Sequence, residues 1–173
     1  VVQSSAGNVN INAIGYHGIY LNNASTTIRA FSDLNINALG STQIAIYGEA
    51  SGTCATSQCG LISDTGNITI NAISKDNSVN GYYAYYLRNP VVANGTDSGK
   101  GNIYISPPGQ YAGFNGAGGS SAYLKSQGNL AVLAYGGSSG GYGYYSNDAG
   151  PSLTSTAAGR LIRSTAGNLH NSA

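Results

Sequence analysis

The sequence predicts an all-β chain folded as one β-solenoid, a parallel β-helix of about five to six coils with loop insertions. A short motif recurs along the chain, in which a turn is followed by alternating apolar and polar residues. Alternation of this kind is typical of strands with one buried face. No window combines apolar residues at helical spacing with good helix formers, so we expect no helix. Residues 1–173 are assigned to this single domain.

Five copies of the motif define the predicted coils, and they are Gly7–Ala13, Ser32–Ala38, Gly66–Ala72, Gly101–Ser106 and Gly128–Ala134. The predicted coils are residues 1–31, 32–65, 66–100, 101–127 and 128–158, followed by a partial coil at 159–173. The copies are unequally spaced. A solenoid accepts the extra residues as loops, whereas a closed barrel needs strands of matched length.

Two apolar positions recur in every copy, and parallel stacking predicts that each forms a column. The first column is Val9, Leu34, Ile68, Ile103 and Leu130, and the second is Ile11, Ile36, Ile70, Ile105 and Val132. Residues of this class suit a buried, pleated surface. We expect the motif strand to end in a corner that contains Ala13, Ala38, Ala72 or Ala134.

Shorter strands follow each motif strand. In the first coil, Ala13–His17 is predicted to turn and Gly18–Asn22 to form the next strand. Ile44 and Ile46 are predicted to match Ile19 and Leu21 there. Further strands are predicted at Thr27–Phe31, Leu61–Ser63, Gly81–Leu87, Val91–Val92, Ala122–Leu124, Leu161–Ile162 and Asn168–Leu169. Pro90 lacks an amide donor and is therefore expected at a strand end.

Asparagine precedes most motif strands, at Asn8, Asn67, Asn102 and Asn129. Stacked side-chain amides can bond from one copy to the next, as in amide ladders. Asparagine also tolerates the left-handed backbone region and is a common turn former. The sequence leaves both interpretations open.

The low charge of the chain excludes several partners. The formal net charge is +1 and 8% of residues are charged. Nucleic-acid binding needs a basic patch, so we expect no nucleic-acid partner. No apolar run is long enough to cross a bilayer, so we expect no membrane insertion.

The chain contains no Met, which is expected of a processed chain or of a piece of a longer one.

Cys54 and Cys59 enclose a short stretch rich in small polar residues. In an extracellular protein this spacing predicts a disulfide that closes a loop within the long insertion after Ile46. A free pair and half of a zinc site are the alternatives. The zinc alternative lacks ligands close in sequence, because His17 and His170 are distant.

Tyrosine is the most informative residue type, with 14 Tyr against 2 Phe and no Trp. The predicted contact surface is Tyr82, Tyr83, Tyr85, Tyr86, Tyr142, Tyr144 and Tyr145. A strand with Tyr on both faces exposes some of its phenols, which offer rigid contact area to sugars or proteins. Stacked tyrosines that only stabilise the coil are the alternative.

The sequence indicates no catalytic or metal site and no cofactor. Asp33 and Asp64 lie near motif starts and can approach each other across coils, but turn positions explain them equally simply. His17 has no evident carboxylate partner and is expected to be a loop residue. Three triplets fit the glycan-acceptor pattern, starting at Asn23, Asn67 and Asn94, and Asn94 is the expected acceptor because it lies in a polar connector.

The motif Gly66-Asn67-Ile68-Thr69-Ile70-Asn71-Ala72, followed by a segment such as Gly18-Ile19-Tyr20-Leu21, resembles the repeats of filamentous haemagglutinin-type adhesins of two-partner secretion. Residues 4–88 resemble them most and 101–134 resemble degenerate copies. The resemblance implies a right-handed helix, export to the cell surface, and adhesion. The high Tyr content, the cysteine loop and the irregular C-terminal third depart from that pattern.

The function expected from these features is a secreted, non-enzymatic solenoid with an adhesive or structural role at the bacterial cell surface. Its partner is then a glycan or protein of a host or neighbouring cell. The first alternative is a subunit that binds copies of itself end to end in an extracellular filament, since open strand edges can pair. The second is a carbohydrate-processing or tailspike-like β-helix.

Overall fold

In a computed structural model of the chain, residues 1–21, 26–48, 59–75, 83–106, 112–116, 123–134, 142–146, 152–155, 160–164 and 168–171 are described. These residues form strands and turns and contain no helix. The strands are β1 Val2–Gln3, β2 Val9–Gly15, β3 Ile19–Leu21, β4 Thr27–Ala30, β5 Leu34–Gly40, β6 Ile46–Gly48, β7 Gly60–Ser63, β8 Ile68–Ser74, β9 Tyr83–Leu87, β10 Val91–Ala93, β11 Ile103–Ser106, β12 Ala112–Gly116, β13 Tyr123–Ser126, β14 Leu130–Ala134, β15 Tyr142–Ser146, β16 Ser152–Ser155, β17 Arg160–Ser164 and β18 Asn168–Asn171.

The strands form three parallel sheets, in which each strand pairs with the strand three places later in the chain. The first sheet has the order β1-β4-β7-β10-β13-β16, the second β2-β5-β8-β11-β14-β17, and the third β3-β6-β9-β12-β15-β18. Each set of three consecutive strands, such as β1, β2 and β3, therefore places one strand in each of the three sheets. This stacking is compatible with the predicted β-solenoid, and the all-β prediction is confirmed.

The register of the second sheet confirms both predicted apolar columns. Val9 pairs with Leu34, Leu34 with Ile68, Ile68 with Ile103, and Ile103 with Leu130. The Ile11 column is aligned in the same way. Ile68, Ile70, Ile103 and Val132 are fully buried. Apolar burial of this kind is the main stabilising contribution to the fold, at roughly 25 cal/mol per Å².

The motif strands are longer than predicted. β2, β5 and β8 each continue two residues past the alanine, to Gly15, Gly40 and Ser74. The predicted turn at Ala13 and the corner positions of Ala38 and Ala72 are therefore wrong. Ala38 and Ala72 are buried, because they occupy the third inward position of a strand, where the small side chain packs in the core.

The predicted match between the second strands is also wrong. Ile19 pairs with Ile46, and Leu21 pairs with Gly48, so the register is displaced by two residues from the prediction. The segment between β2 and β3 is Tyr16–Gly18, whereas the segment between β5 and β6 is Ser41–Ala45. The second connection is two residues longer, and Ile44 is buried in it instead of in the strand.

A hydrogen-bonded ladder runs along the corner that precedes the second sheet. The Oδ1 atom of Asn8 accepts the backbone N–H of Asp33 at 3.0 Å, and Asp33 Oδ1 accepts the N–H of Asn67 at 2.9 Å. Asn67 Oδ1 then accepts the N–H of Asn102 at 3.0 Å, and Asn102 Oδ1 that of Asn129 at 2.8 Å. No described residue other than glycine has a positive φ. The ladder prediction is therefore confirmed, and the left-handed alternative is wrong for these asparagines.

Candidate functional site

The outer side of the third sheet carries a cluster of aromatic side chains, here called the aromatic patch: Tyr16, His17, Tyr20, Tyr47 and Tyr86. The sheet register aligns Tyr20 with Tyr47 and Tyr47 with Tyr86. Tyr16 and His17 precede β3 in the same corner. Parallel pairing thus brings together residues that lie far apart in the sequence.

The rings of the aromatic patch pack against one another. Ring centroids are 5.3 Å apart for Tyr20 and Tyr47, with planes 10° apart, and 5.3 Å apart for Tyr47 and Tyr86, with planes 32° apart. His17 stacks on Tyr20 at 5.5 Å and on Tyr47 at 5.3 Å. Offset stacks of this kind stabilise a pair by about 0.5–1.5 kcal/mol beyond their area burial.

Stacking limits which part of each ring a ligand can reach. Within a stack, each ring covers part of its neighbour's face, so ring edges remain for contact. The Tyr16 hydroxyl accepts a hydrogen bond from Gln43 Nε2. Tyr16 is 59% exposed and Tyr20 is 45% exposed, whereas Tyr47 and Tyr86 are half-buried. The Arg88 guanidinium lies 5.2 Å from the centre of the Tyr86 ring, in a cation–π contact. The patch is therefore most open at its Tyr16 and Tyr20 end.

His17 is held by its ring contacts and by its backbone surroundings. Tyr16 packs edge-on against it, with ring centroids 5.1 Å apart. Its Nδ1 atom lies 3.3 Å from the carbonyl oxygen of Ile44, an acceptor that suits the tautomer protonated at Nδ1. These contacts give His17 a positioning role in the patch.

The outer side of the second sheet carries a different set of side chains, here called the amide face. Its polar part is Asn10 and Asn35 in one column and Asn12, Asn37 and Asn71 in the next. Its apolar part is the column of Ile14, Leu39 and Ile73. The Nδ2 atom of Asn35 donates to Asn10 Oδ1 at 2.9 Å, that of Asn37 to Asn12 Oδ1 at 3.0 Å, and that of Asn71 to Asn37 Oδ1 at 2.9 Å.

The two carboxylates considered for catalysis are each held by other groups. Asp64 binds the guanidinium of Arg29, with Nη2–Oδ1 at 2.8 Å. Asp33 accepts the Asn67 amide in the corner ladder and lies 3.7 Å from Lys100 Nζ. Among the described residues, no group of three or more His, Cys, Asp or Glu could hold a metal ion.

The predicted contact surface is corrected at Tyr85. That side chain is 1% exposed and packs edge-on against Phe114, with centroids 5.5 Å apart. The register pairs Ile46 with Tyr85, which places Tyr85 in an inward column and Tyr86 in the outward one. Burial raises the pKa of the Tyr85 phenol well above its ordinary value, because the charged form would lose its solvation.

The other predicted contact tyrosines are only partly described. Tyr83 lies in β9, and Tyr142, Tyr144 and Tyr145 lie in β15, where Tyr144 pairs with Phe114 and Tyr145 with Asn115. Tyr82 lies outside the described residues. The contact role of these residues stays a prediction.

The predicted disulfide and glycan acceptor fall at the edges of the first sheet. Cys59 is buried just before β7, and no described cysteine is a free thiol. Cys54 lies outside the described residues, so its pairing with Cys59 stays a prediction. Asn94 follows β10, is half-buried, and donates its backbone N–H to Ser63 at 2.9 Å. Thr96, the third residue of its triplet, is exposed.

The sequence prediction missed Tyr16, Tyr20 and Tyr47 as members of a site. The signal was the recurrence of Tyr after an inward apolar residue in Ile19-Tyr20 and Ile46-Tyr47. The two-residue register error hid it, because that error aligned Tyr20 with Ala45 instead of Tyr47.

Comparisons with family models, with curated proteins and with solved structures find no match to this chain. In the described part of the chain, no helix has the length and apolar character needed to cross a membrane.

Proposed function

We propose that the chain is a secreted, non-enzymatic β-solenoid with an adhesive role at the bacterial cell surface. In this proposal the three parallel sheets wind as a right-handed β-helix of about five to six coils, similar to the repeats of filamentous haemagglutinin-type adhesins. The partner is a glycan or a protein on a host or neighbouring cell. No cofactor takes part, and the Cys54–Cys59 disulfide closes a loop in an oxidising, extracellular environment.

The aromatic patch is the observation that carries this proposal. Large aromatic side chains are concentrated on one outer surface, with Tyr16 and Tyr20 more than two-fifths exposed. Tyr and other aromatic residues are enriched at binding interfaces, because they give large contact area at a low cost in conformational entropy. Packing of Tyr16 and Tyr20 against His17, and of Tyr20 against Tyr47, reduces that entropy further, since the rings are already held before a ligand arrives.

The contacts of the carboxylates favour binding over catalysis. Glycoside hydrolysis normally needs two carboxyl groups placed on either side of one bond, one as acid and one as base or nucleophile. Asp64 is bound to Arg29 and Asp33 is part of a structural ladder. These two side chains have structural partners that account for their positions.

Binding to glycan arrays and to whole cells tests the proposal. The double variant Tyr20→Ala/Tyr47→Ala is expected to lose about tenfold or more in affinity, as for interface aromatic residues. Phe31→Ala is the matched control, because Phe31 is 44% exposed and lies outside the patch. Thermal unfolding of each variant shows whether the fold is retained. Equal binding by wild type and a folded double variant would contradict the role of the patch.

End-to-end self-assembly is the second candidate function. The parallel strands at the ends of each sheet, such as the seven-residue β2, have one edge without a partner strand among the described residues. Strand edges can pair with another chain. Light scattering and electron microscopy of purified protein test this candidate, and filaments that lengthen with concentration would favour it over a monomeric adhesin.

A further inference from the structure

We propose that the amide face binds an electrically neutral polysaccharide, whose chain lies across the strands in the direction in which they stack. This inference rests on the proposed adhesive function and adds a second binding surface with its own ligand class. The surface is the outer side of β2, β5 and β8. It is distinct from the aromatic patch, although the exposed Tyr16 lies only two residues after Ile14 in the chain.

The asparagines of this face are ordered before any ligand binds. Their amide-to-amide hydrogen bonds measure 2.9–3.0 Å and fix the side chains in one orientation. A primary amide has two N–H donors and two acceptor positions on its oxygen. Asn37 uses one donor towards Asn12 and one acceptor position towards Asn71. One N–H and one oxygen position remain available, and a ligand using them gains affinity because the ordering cost is already met.

The absence of charge on this face selects the ligand class. The strands β2, β5 and β8 read VNINAIG, LNINALG and ITINAIS and contain no ionisable side chain. An anionic polymer would lose hydration there without gaining an ion pair. A polymer of neutral hydroxyl groups exchanges hydrogen bonds with amides at little electrostatic cost.

The repeat of the face suits a regularly repeating polymer. Neighbouring strands are about 4.8 Å apart, so the same pair of amide and apolar groups recurs at that interval. The rise per sugar of an extended β-1,4-linked chain is of similar size. Beside the amides, the Ile14, Leu39 and Ile73 column offers an apolar strip, with Ile14 78% exposed and Ile73 43% exposed. Sugar rings present hydroxyl edges and apolar C–H faces, which match the two kinds of column.

Retention on insoluble cellulose and chitin, with heparin as the anionic comparator, tests the inference on the full chain. We expect wild type to bind a neutral polymer, and Asn37→Ala/Asn71→Ala to lose about tenfold in affinity, which corresponds to about 1.4 kcal/mol. Tyr20→Ala/Tyr47→Ala is expected to retain most of this binding. Phe31→Ala is the matched control, because Phe31 is 44% exposed and lies outside β2, β5 and β8.

Three results would overturn the inference while leaving the adhesive function standing. The first is binding to cells that depends on Tyr20 and Tyr47 without retention on either neutral polymer. The second is neutral-polymer binding that a folded Asn37→Ala/Asn71→Ala variant retains in full. The third is binding to heparin alone. A chain that binds no cell and no glycan contradicts the proposed function itself.

Discussion

Arg29 and Asp64 form a forked ion pair that connects β4 to the corner after β7. Arg29 Nε donates to Asp64 Oδ1 at 3.0 Å and to Oδ2 at 2.9 Å, and Nη2 lies 2.8 Å from Oδ1. The hydrogen bond to Asp64 and its negative charge raise the pKa of the Arg29 guanidinium, against a smaller opposing effect of burial. The pair therefore connects two neighbouring strands at the surface of the first sheet.

Replacing Asp64 by Asn is expected to destabilise the fold only slightly. The two side chains are 35% and 26% exposed, so solvent screening limits the loss to about 1 kcal/mol or less. A double-mutant cycle with Arg29→Ala, followed by chemical denaturation, measures the coupling. The same variant tests the enzymatic alternative, since release of sugar fragments by wild type that Asp64→Asn abolishes would contradict a non-enzymatic chain.

Tyr85→Phe is expected to stabilise the protein. The Tyr85 hydroxyl is buried and has no hydrogen-bond partner among the described residues, and such a group costs about 1–3 kcal/mol. Phe114, the register partner of Tyr85 in β12, shows that a phenyl ring fits this column. We expect a gain of about 1 kcal/mol at neutral pH, measured by urea denaturation. A loss above experimental error would contradict this account.

The same residue predicts a pH dependence in the alkaline range. Burial raises the folded-state pKa of Tyr85 above the ordinary value of 10.0, so above pH 10 the unfolded chain releases a proton that the folded chain retains. The stability linked to Tyr85 is therefore complete below pH 10 and is lost as the pH rises. Denaturation midpoints between pH 8 and pH 11, at spacings of about half a unit, should fall less steeply for Tyr85→Phe than for wild type.

Much of the second sheet could be predicted from sequence, because a turn signal marks the start of each motif strand. The position of Gly-Asn before Ile68, Ile103 and Leu130 sets the register directly. The third sheet has no such mark. Its strands follow connections of variable length, and Ile44 and Ile46 both alternate with polar or small neighbours. Only backbone pairing decides which isoleucine belongs to the strand.

The candidate sites were predictable in kind but not in position. Tyr-rich strands indicated exposed phenols. Because Tyr occurs at both inward-facing and outward-facing positions of β9, the sequence did not separate the buried Tyr85 from the outward Tyr86. The amide face was visible as Asn-x-Asn in the first two motifs and as Thr-x-Asn in the third. Its meaning depends on register and side-chain orientation, because a shift of one residue turns the outward asparagines inward.

Substitutions at Ile70 and Ile73 separate the core from the outer face of one strand. Ile70 is fully buried in β8, and Ile70→Ala is expected to cost about 2–5 kcal/mol through lost burial and a cavity. Ile73 lies on the exposed side of the same strand, and Ile73→Ala is expected to change stability by about 0.5 kcal/mol or less. Chemical denaturation of both variants checks the assignment, and equal losses would contradict it.

Substitutions at Asn67 and Asn71 compare an asparagine of the corner ladder with an exposed asparagine of the amide face. Asn67→Ala removes the acceptor for the backbone N–H of the buried Asn102, and an unsatisfied donor there costs about 1–3 kcal/mol. Asn71→Ala removes a hydrogen bond between exposed side chains and is expected to cost about 0.5 kcal/mol or less. Hydrogen exchange of the Asn102 amide should accelerate only in Asn67→Ala.

The amide bonds along the second sheet all run in one sense. Each N–H group points towards the preceding strand of the sheet and each carbonyl towards the following one, from Asn71 through Asn37 to Asn12. The columns therefore have a head and a tail, unlike a row of hydroxyl groups that can rotate. A sugar polymer also has two chemically different ends. A sugar polymer bound along this face would therefore bind in a single orientation. An oligosaccharide labelled at its reducing end would then place that label at one end of the protein only.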